Sequence, residues 1–187
     1  MAKFGFYRDN IENSPLQIVI RWLVDILAVA ALGIFVVAEW GNPHTVVGRS
    51  MEPAIYSGDV VLVSRFSRHL APVERFDIIE FDLADGTGKT SLKRVVGLPG
   101  ETIQITGGQL LIDSQPVDME EYEDILTVGG TAEEPLTLGE DEFFVLGDNP
   151  GSSQDSRFSA VGNVPQEHIL GKVWFRIAPT ERFGGVK

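Results

Sequence analysis

The chain is 187 residues long, 43% hydrophobic and 22% charged, enough to bury the core of one domain with a small attachment and too apolar for a disordered or fibrous chain. Its 27 acidic against 15 basic residues leave a net charge of −12, which repels phosphate backbones and argues against nucleic-acid binding. The absence of cysteine excludes disulfide frameworks, Cys-ligated zinc, iron–sulfur clusters and thiol nucleophiles, while His44, His69 and His168 are too scattered to suggest a metal cluster.

The first predicted element is a membrane helix. From Leu16 to Ala38 the sequence runs largely apolar for 23 residues, its only charges Arg21 and Asp25. A helix of that length spans roughly 34 Å, enough for a bilayer core. The two charges stand four apart on one face near the N-terminal end, where they can pair or reach the headgroups. Trp22 and Trp40 sit near the two ends, as interfacial anchors do. A buried soluble helix is a poorer reading, because Ile26–Ala38 has no polar stripe. A cleaved signal peptide is the closer rival, since Val36-Val37-Ala38 has the small-residue character of a cleavage site. Length and flanks favour a retained anchor. Lys3, Arg8 and Arg21 precede the bulk of the span, so the positive-inside rule places residues 1–15 in the cytoplasm, 16–40 in the plasma membrane and 41–187 outside.

After Trp40 the pattern changes to short runs rich in Val, Ile and Phe between Gly, Pro, Asp and Ser. These predict strands at Thr45–Val47, Val60–Ser64, Asp77–Asp82, Ser91–Gly97, Thr102–Thr106, Gln109–Asp113, Phe143–Gly147 and Lys172–Ala178. Gly107-Gly108 predicts a two-residue hairpin turn, and Pro165–Leu170 a short helix with proline in its first turn. The acidic runs Asp118–Asp124 and Glu133–Glu142 read as solvated loop faces rather than a site for basic partners. The expected fold is mainly β: a compact antiparallel β-sheet domain at 41–187 behind one N-terminal transmembrane helix.

Common catalytic templates are missing: there is no GxSxG, SxxK or HExxH, and no phosphate-cradling glycine loop. Three segments remain. In Gly48-Arg49-Ser50-Met51-Glu52-Pro53, a serine stands between a flexible glycine and a turn-fixing proline, with its own N–H free to bind an oxyanion; an ordinary turn reads the same way. In Ser91-Leu92-Lys93-Arg94-Val95-Val96, strand alternation puts Ser91, Lys93 and Val95 on one face and Leu92, Arg94 and Val96 on the other, so one face carries a charge among apolar side chains. If that charge is Lys93, desolvation makes it a candidate base; to be useful at pH 7 its pKa must lie roughly two to three below 10.4. The third segment, Gly147-Asp148-Asn149-Pro150-Gly151-Ser152-Ser153-Gln154-Asp155-Ser156-Arg157, offers hydroxyls to orient an amine and an Asp/Arg set to brace a turn.

Together and in this order, these segments resemble type I signal peptidases, the membrane-bound Ser/Lys endopeptidases that remove signal peptides. The resemblance also takes in Ser57-Gly58-Asp59-Val60-Val61, Phe76–Phe81, Lys93–Glu101 and Gly171-Lys172-Val173, nearly the whole chain. It implies Ser50 as nucleophile and Lys93 as general base. It further implies Ser153 as the hydroxyl that holds the lysine amine, Asp155, Arg157 and Asp148 as bracing groups, and Met51 as a residue shaping the substrate pocket. Neither metal nor cofactor is implied. The implied partners are preproteins with small residues of the Ala-x-Ala type before the cut, bound as extended strands, and the lipid bilayer on which an apolar face of the domain rests. The chain departs from many relatives at Pro150, where they carry Arg, at Ala54, where they carry Thr, and at Gly48, where some carry an oxyanion-binding serine.

Alternatives within this reading are a dedicated maturation peptidase of one secretion or pilus system and a catalytically dead peptide-binding protein, the latter opposed by intact Ser50, Lys93 and Ser153. A soluble autoproteolytic repressor-type Ser/Lys protein is opposed by the apolar anchor.

Overall fold

A run of helix-compatible Leu, Ile, Val and Ala from Pro15 to Trp40 forms helix α1, 26 residues and about 39 Å long, with proline in the first turn and Gly41 just past the end. The computed structural model describes residues 15–65, 72–83, 88–117 and 126–186. The 1–14 tail, His69 and the run Asp118–Asp124 lie outside the described residues. Pro15–Phe35 is long and apolar enough to cross a membrane, and its side chains are exposed along the whole stretch. Val36-Val37-Ala38 falls inside α1, so that run is helical rather than extended. The chain divides into two units, the first ending at Ala38 and the second beginning at Glu39.

Among the described residues the second unit has twelve strands in two antiparallel sheets. These are β1 (Asn42–Thr45), β2 (Val60–Ser64), β3 (Ile78–Asp82), β4 (Thr90–Gly97), β5 (Thr102–Thr106), β6 (Gln109–Ile112), β7 (Gln115–Pro116), β8 (Leu136–Thr137), β9 (Glu142–Leu146), β10 (Val164–Pro165), β11 (Ile169–Ala178) and β12 (Gly184–Gly185). The larger sheet runs β1-β2-β11-β3-β4-β9-β10, with β12 paired to β11; the smaller runs β7-β6-β5-β8. The expected mainly β, antiparallel fold is present.

Alternation along the central strands sorts their side chains into separate cores. Ile78 and Leu92 join Val46, Met51, Ile55, Val61, Val63 and Val173 in one. Ile79, Phe81, Val95, Phe143 and Val145 belong to a second with Val164 and Ile169. Val96, Phe144 and Leu146 reach a third, formed with the small sheet. Phe143 to Leu146 are thus buried on both faces of β9, which explains a continuous apolar run where a half-exposed strand would alternate.

Two expectations need correction. The first strand is Asn42–Thr45 rather than Thr45–Val47: β1 is the sheet edge, where Pro43 is tolerated, and Val47 is left 88% exposed. No helix forms at Pro165–Leu170. Pro165 pairs with Glu142, a single 3-10 turn covers Gln166–His168, and Ile169 pairs with Phe81, so ladder bonds to β9 and β3 override the local signal. The Gly107-Gly108 hairpin is present, with Thr106 paired to Gln109.

Candidate active site

The segment between β1 and β2 is a long loop closed at its base by Val46 N–H to Asp59 O (2.8 Å) and Gly58 N–H to Val46 O (2.9 Å). Inside it, Ile55 N–H donates to Met51 O (2.7 Å), and Met51 and Ile55 are driven into the core at 1% and 0% exposure. Gly48 enters the turn at φ +103°, a conformation other residues rarely adopt. From β11, Arg176 Nη1 donates to Ala54 O (2.9 Å) and to Asp59 Oδ2 (3.2 Å), while Arg182 Nη2 holds Asp59 Oδ1. The turn carrying Ser50 is therefore fixed by packing beneath it and by a buried carboxylate behind it.

Lys93 lies on β4 opposite Ile79 of β3. It is 4% exposed, and its Nζ donates to Ser50 Oγ (3.1 Å), Ser91 Oγ (3.0 Å) and Leu92 O (2.9 Å). Burial pushes its pKa from 10.5 to about 8, with the carboxylates of Asp155 and Asp148 opposing a larger fall. About one amine in eleven is then neutral at pH 7, against roughly one in 3,000 for a free lysine. Arg94, on the next position, is equally buried, so both β4 charges lie inside and neither forms a solvated edge.

The loop after β9 crosses this pair. Asn149 N–H donates to Ser50 O (3.0 Å). A Cβ at Gly147 would lie 2.3 Å from Ser153 Oγ and 2.5 Å from Ser50 O, so only glycine fits where the loop passes the serine. Asp148 forms a two-point pair with Arg94, whose Nε and Nη2 lie 2.8 and 2.7 Å from its oxygens. Asp155 does the same with Arg157 at 2.8 and 3.0 Å and accepts from Gly147 N–H (3.1 Å), while Arg157 Nη2 also reaches Pro150 O (2.9 Å). All four charged groups are at most 4% exposed. Each carboxylate is neutralised in two-point geometry, the condition under which buried charge is tolerated.

The structure thus brings Ser50, Lys93, Asp148, Asp155 and Arg157 together. Ser153 lies in the same region, 7% exposed, but its Oγ has no hydrogen-bond partner, and the Lys93 amine is met by Ser91 instead. Met51 is 1% exposed, and its side chain packs in the core beneath the turn. Sequence reasoning missed the Arg94–Asp148 pair, the Arg176–Ala54 clasp and the Lys93–Ser91 contact, although the shared strand face of Ser91 and Lys93 was visible. Among the described residues no group of three His, Asp or Glu side chains is placed to hold a metal ion.

A β-domain that offers a serine hydroxyl to a buried lysine amine of lowered pKa, braced by paired carboxylates, has the parts of a serine–lysine hydrolase. Residues 19–178 match the family described as "Signal peptidase, peptidase S26". The chain is 37% identical over 180 residues to "Signal peptidase I" of Leptolyngbya laminosa, covering 92% of this chain and 84% of that one. It is 34% identical to "Probable signal peptidase I-1" of Synechocystis sp., with 92% and 85% covered, and 35% identical to "Signal peptidase I" of Bacillus caldolyticus, with 87% and 91% covered. The chain belongs to the S26 signal peptidase family and is a hydrolase, a serine endopeptidase of the Ser/Lys type.

Proposed function

We propose that this protein removes N-terminal signal peptides from exported preproteins, with Ser50 as nucleophile and Lys93 as general base. The observation that carries the assignment is the 3.1 Å contact between Ser50 Oγ and a lysine amine whose burial brings its pKa to about 8. The neutral amine takes the Ser50 proton as Oγ attacks the scissile carbonyl carbon. The tetrahedral oxyanion is met by the Ser50 N–H, which donates to no group among the described residues. As the C–N bond breaks, the Lys93 ammonium returns the proton to the leaving amine, and an ester on Ser50 remains. Lys93 then takes a proton from water, hydroxide attacks the ester, and the proton passes back to Ser50 Oγ.

The bracing groups have separable tasks. Asp148 and Asp155 keep the pKa of Lys93 from falling further, Arg94 and Arg157 make those carboxylates tolerable in the interior, and Asn149 N–H fixes the serine backbone. Residues 1–15 form a cytoplasmic tail, 16–40 the membrane anchor and 41–187 an extracytoplasmic peptidase domain in this reading. The charges before the apolar span and the helix α1 support it. Substrates with small residues of the Ala-x-Ala type are the chemistry expected of the family's shallow pockets. A general housekeeping role is favoured over a dedicated maturation peptidase by the names of the relatives.

The test is cleavage of a preprotein bearing an Ala-x-Ala site by the detergent-solubilised chain and its Ser50→Ala variant. Cleavage at that site by the first alone supports the assignment. Equal cleavage by both removes Ser50 from the nucleophile role.

A further inference from the structure

A lysine acting as a base must present its lone pair to the hydroxyl it deprotonates. The neutral amine has two N–H donors and one lone pair, so both donors must be occupied elsewhere for the lone pair to face Ser50. The three atoms around Lys93 Nζ divide in that way. The carbonyl of Leu92, at 2.9 Å, can only accept, and the Ser91 hydroxyl, at 3.0 Å, takes the second N–H, leaving the third direction to Ser50 Oγ. Ser153, whose Oγ is buried, makes no such bond.

We propose that Ser91 is the positioning residue for the Lys93 amine in this protein, holding it from two residues upstream on the same strand face. This rests on the assignment of Lys93 as the base. Both ends of the contact are set by one strand: Ser91 is paired with Phe81 and Lys93 with Ile79 across the β3–β4 ladder. A hydroxyl delivered by a strand interior is more rigidly placed than one delivered by a loop, and such preorganisation favours proton transfer. The polar loop then acts on the amine through charge, and the strand acts through direction.

Ser91 also accepts from the charged amine, so its removal favours the neutral form and lowers the pKa of Lys93. The charged groups that act on the amine stay in place in a Ser91 variant: Asp148 and Asp155 face it from the polar loop, closed by Arg94 and Arg157. Glu80 of β3 lies opposite Leu92, on the other face of the sheet, and pairs with His44 at 2.9 Å, while Arg49 pairs with Glu52 at 3.0 Å.

The experiment uses the full chain in detergent, as parent, Ser91→Ala, Ser91→Thr, Ser153→Ala and Ser50→Ala. Cleavage of an Ala-x-Ala peptide is followed against pH. In parallel, the Lys93 amine is titrated by NMR with 13C-labelled lysine. The sequence has five lysines, Lys3, Lys89, Lys93, Lys172 and Lys187, and Lys93→Arg identifies the resonance. Ser91→Ala is expected to lower kcat by about ten- to a hundred-fold with KM nearly unchanged, and to move the amine midpoint below about 8. Ser91→Thr restores both. The proposal is overturned if Ser91→Ala retains the parent's midpoint and kcat, or if Ser153→Ala moves both while Ser91→Ala moves neither. Full activity in Ser50→Ala refutes the dyad instead, and the amine titration still decides the role of Ser91.

Discussion

The rate of peptide cleavage by this enzyme should rise with pH through the titration of Lys93 and level off far earlier than an ordinary lysine allows. The perturbation is burial: at 4% exposure the ammonium loses most of its hydration, and its pKa falls from 10.5 to about 8 despite the nearby Asp155 and Asp148 carboxylates. With Lys93 as the proposed base for Ser50, only its neutral amine is active, so kcat/KM follows that fraction, about 1% at pH 6, 9% at pH 7, 50% at pH 8 and 90% at pH 9. The expected profile climbs about tenfold from pH 6 to 7 and about fivefold from pH 7 to 8, then flattens. An internally quenched Ala-x-Ala peptide in detergent at constant ionic strength gives the profile directly. A tenfold rise per pH unit continuing past pH 9 would mean that the amine is not desolvated as described. A flat profile down to pH 5 would remove Lys93 from the base role.

Further outcomes follow from the same geometry. Lys93→Arg should be nearly inactive, because a guanidinium does not deprotonate in this range, and near-normal turnover would exclude the lysine as base. Lys93→Met should lose activity yet gain about 3 kcal/mol of stability at pH 7, read as a raised midpoint of thermal unfolding. The sign follows from the depressed folded pKa. The unfolded chain holds this proton up to about 10.5 while the folded chain releases it near 8, so stability rises with pH between these values and the penalty is fully present below them. Asp148→Asn removes the carboxylate charge that pairs with the buried Arg94 and should cost about 3–5 kcal/mol, with an unchanged melting curve as the contrary result. Gly147→Ala forces the polar loop off Ser50, and kcat should fall about a hundredfold; normal kinetics would show that the 2.3 and 2.5 Å approaches can relax freely.

The strands and the proposed Ser50–Lys93 dyad were legible in the sequence for different reasons. β2 and β5 agree with expectation at both ends because their apolar runs stop at turn residues. β1 and the segment at Pro165 were misplaced because ladder partners distant in sequence, Leu62 for Pro43 and Phe81 for Ile169, decide those residues' conformation. Ser50 and Lys93 could be named only because three motifs occur together; each alone reads as an ordinary turn or strand. Ser91 shares a strand face with Lys93 in the sequence pattern, but a serine two residues before a lysine has no signature of its own until the strand turns the lysine amine back toward it. The resemblance gives Met51 a part in shaping the substrate pocket; the hydrogen bond from Ile55 N–H to its carbonyl winds the turn so that both side chains pack in the core.

Chemical restoration of an amine at position 93 decides whether a neutral amine there serves as the base for Ser50. The native chain has no cysteine, so Lys93→Cys creates a single thiol, and alkylation with 2-bromoethylamine rebuilds an amine of nearly lysine length at that site alone. Lys93→Cys should be inactive and regain Ala-x-Ala cleavage on aminoethylation, while the Ser50→Ala, Lys93→Cys double variant treated in the same way should regain none. Activity in the unmodified Lys93→Cys protein, or rescue without Ser50, would contradict it.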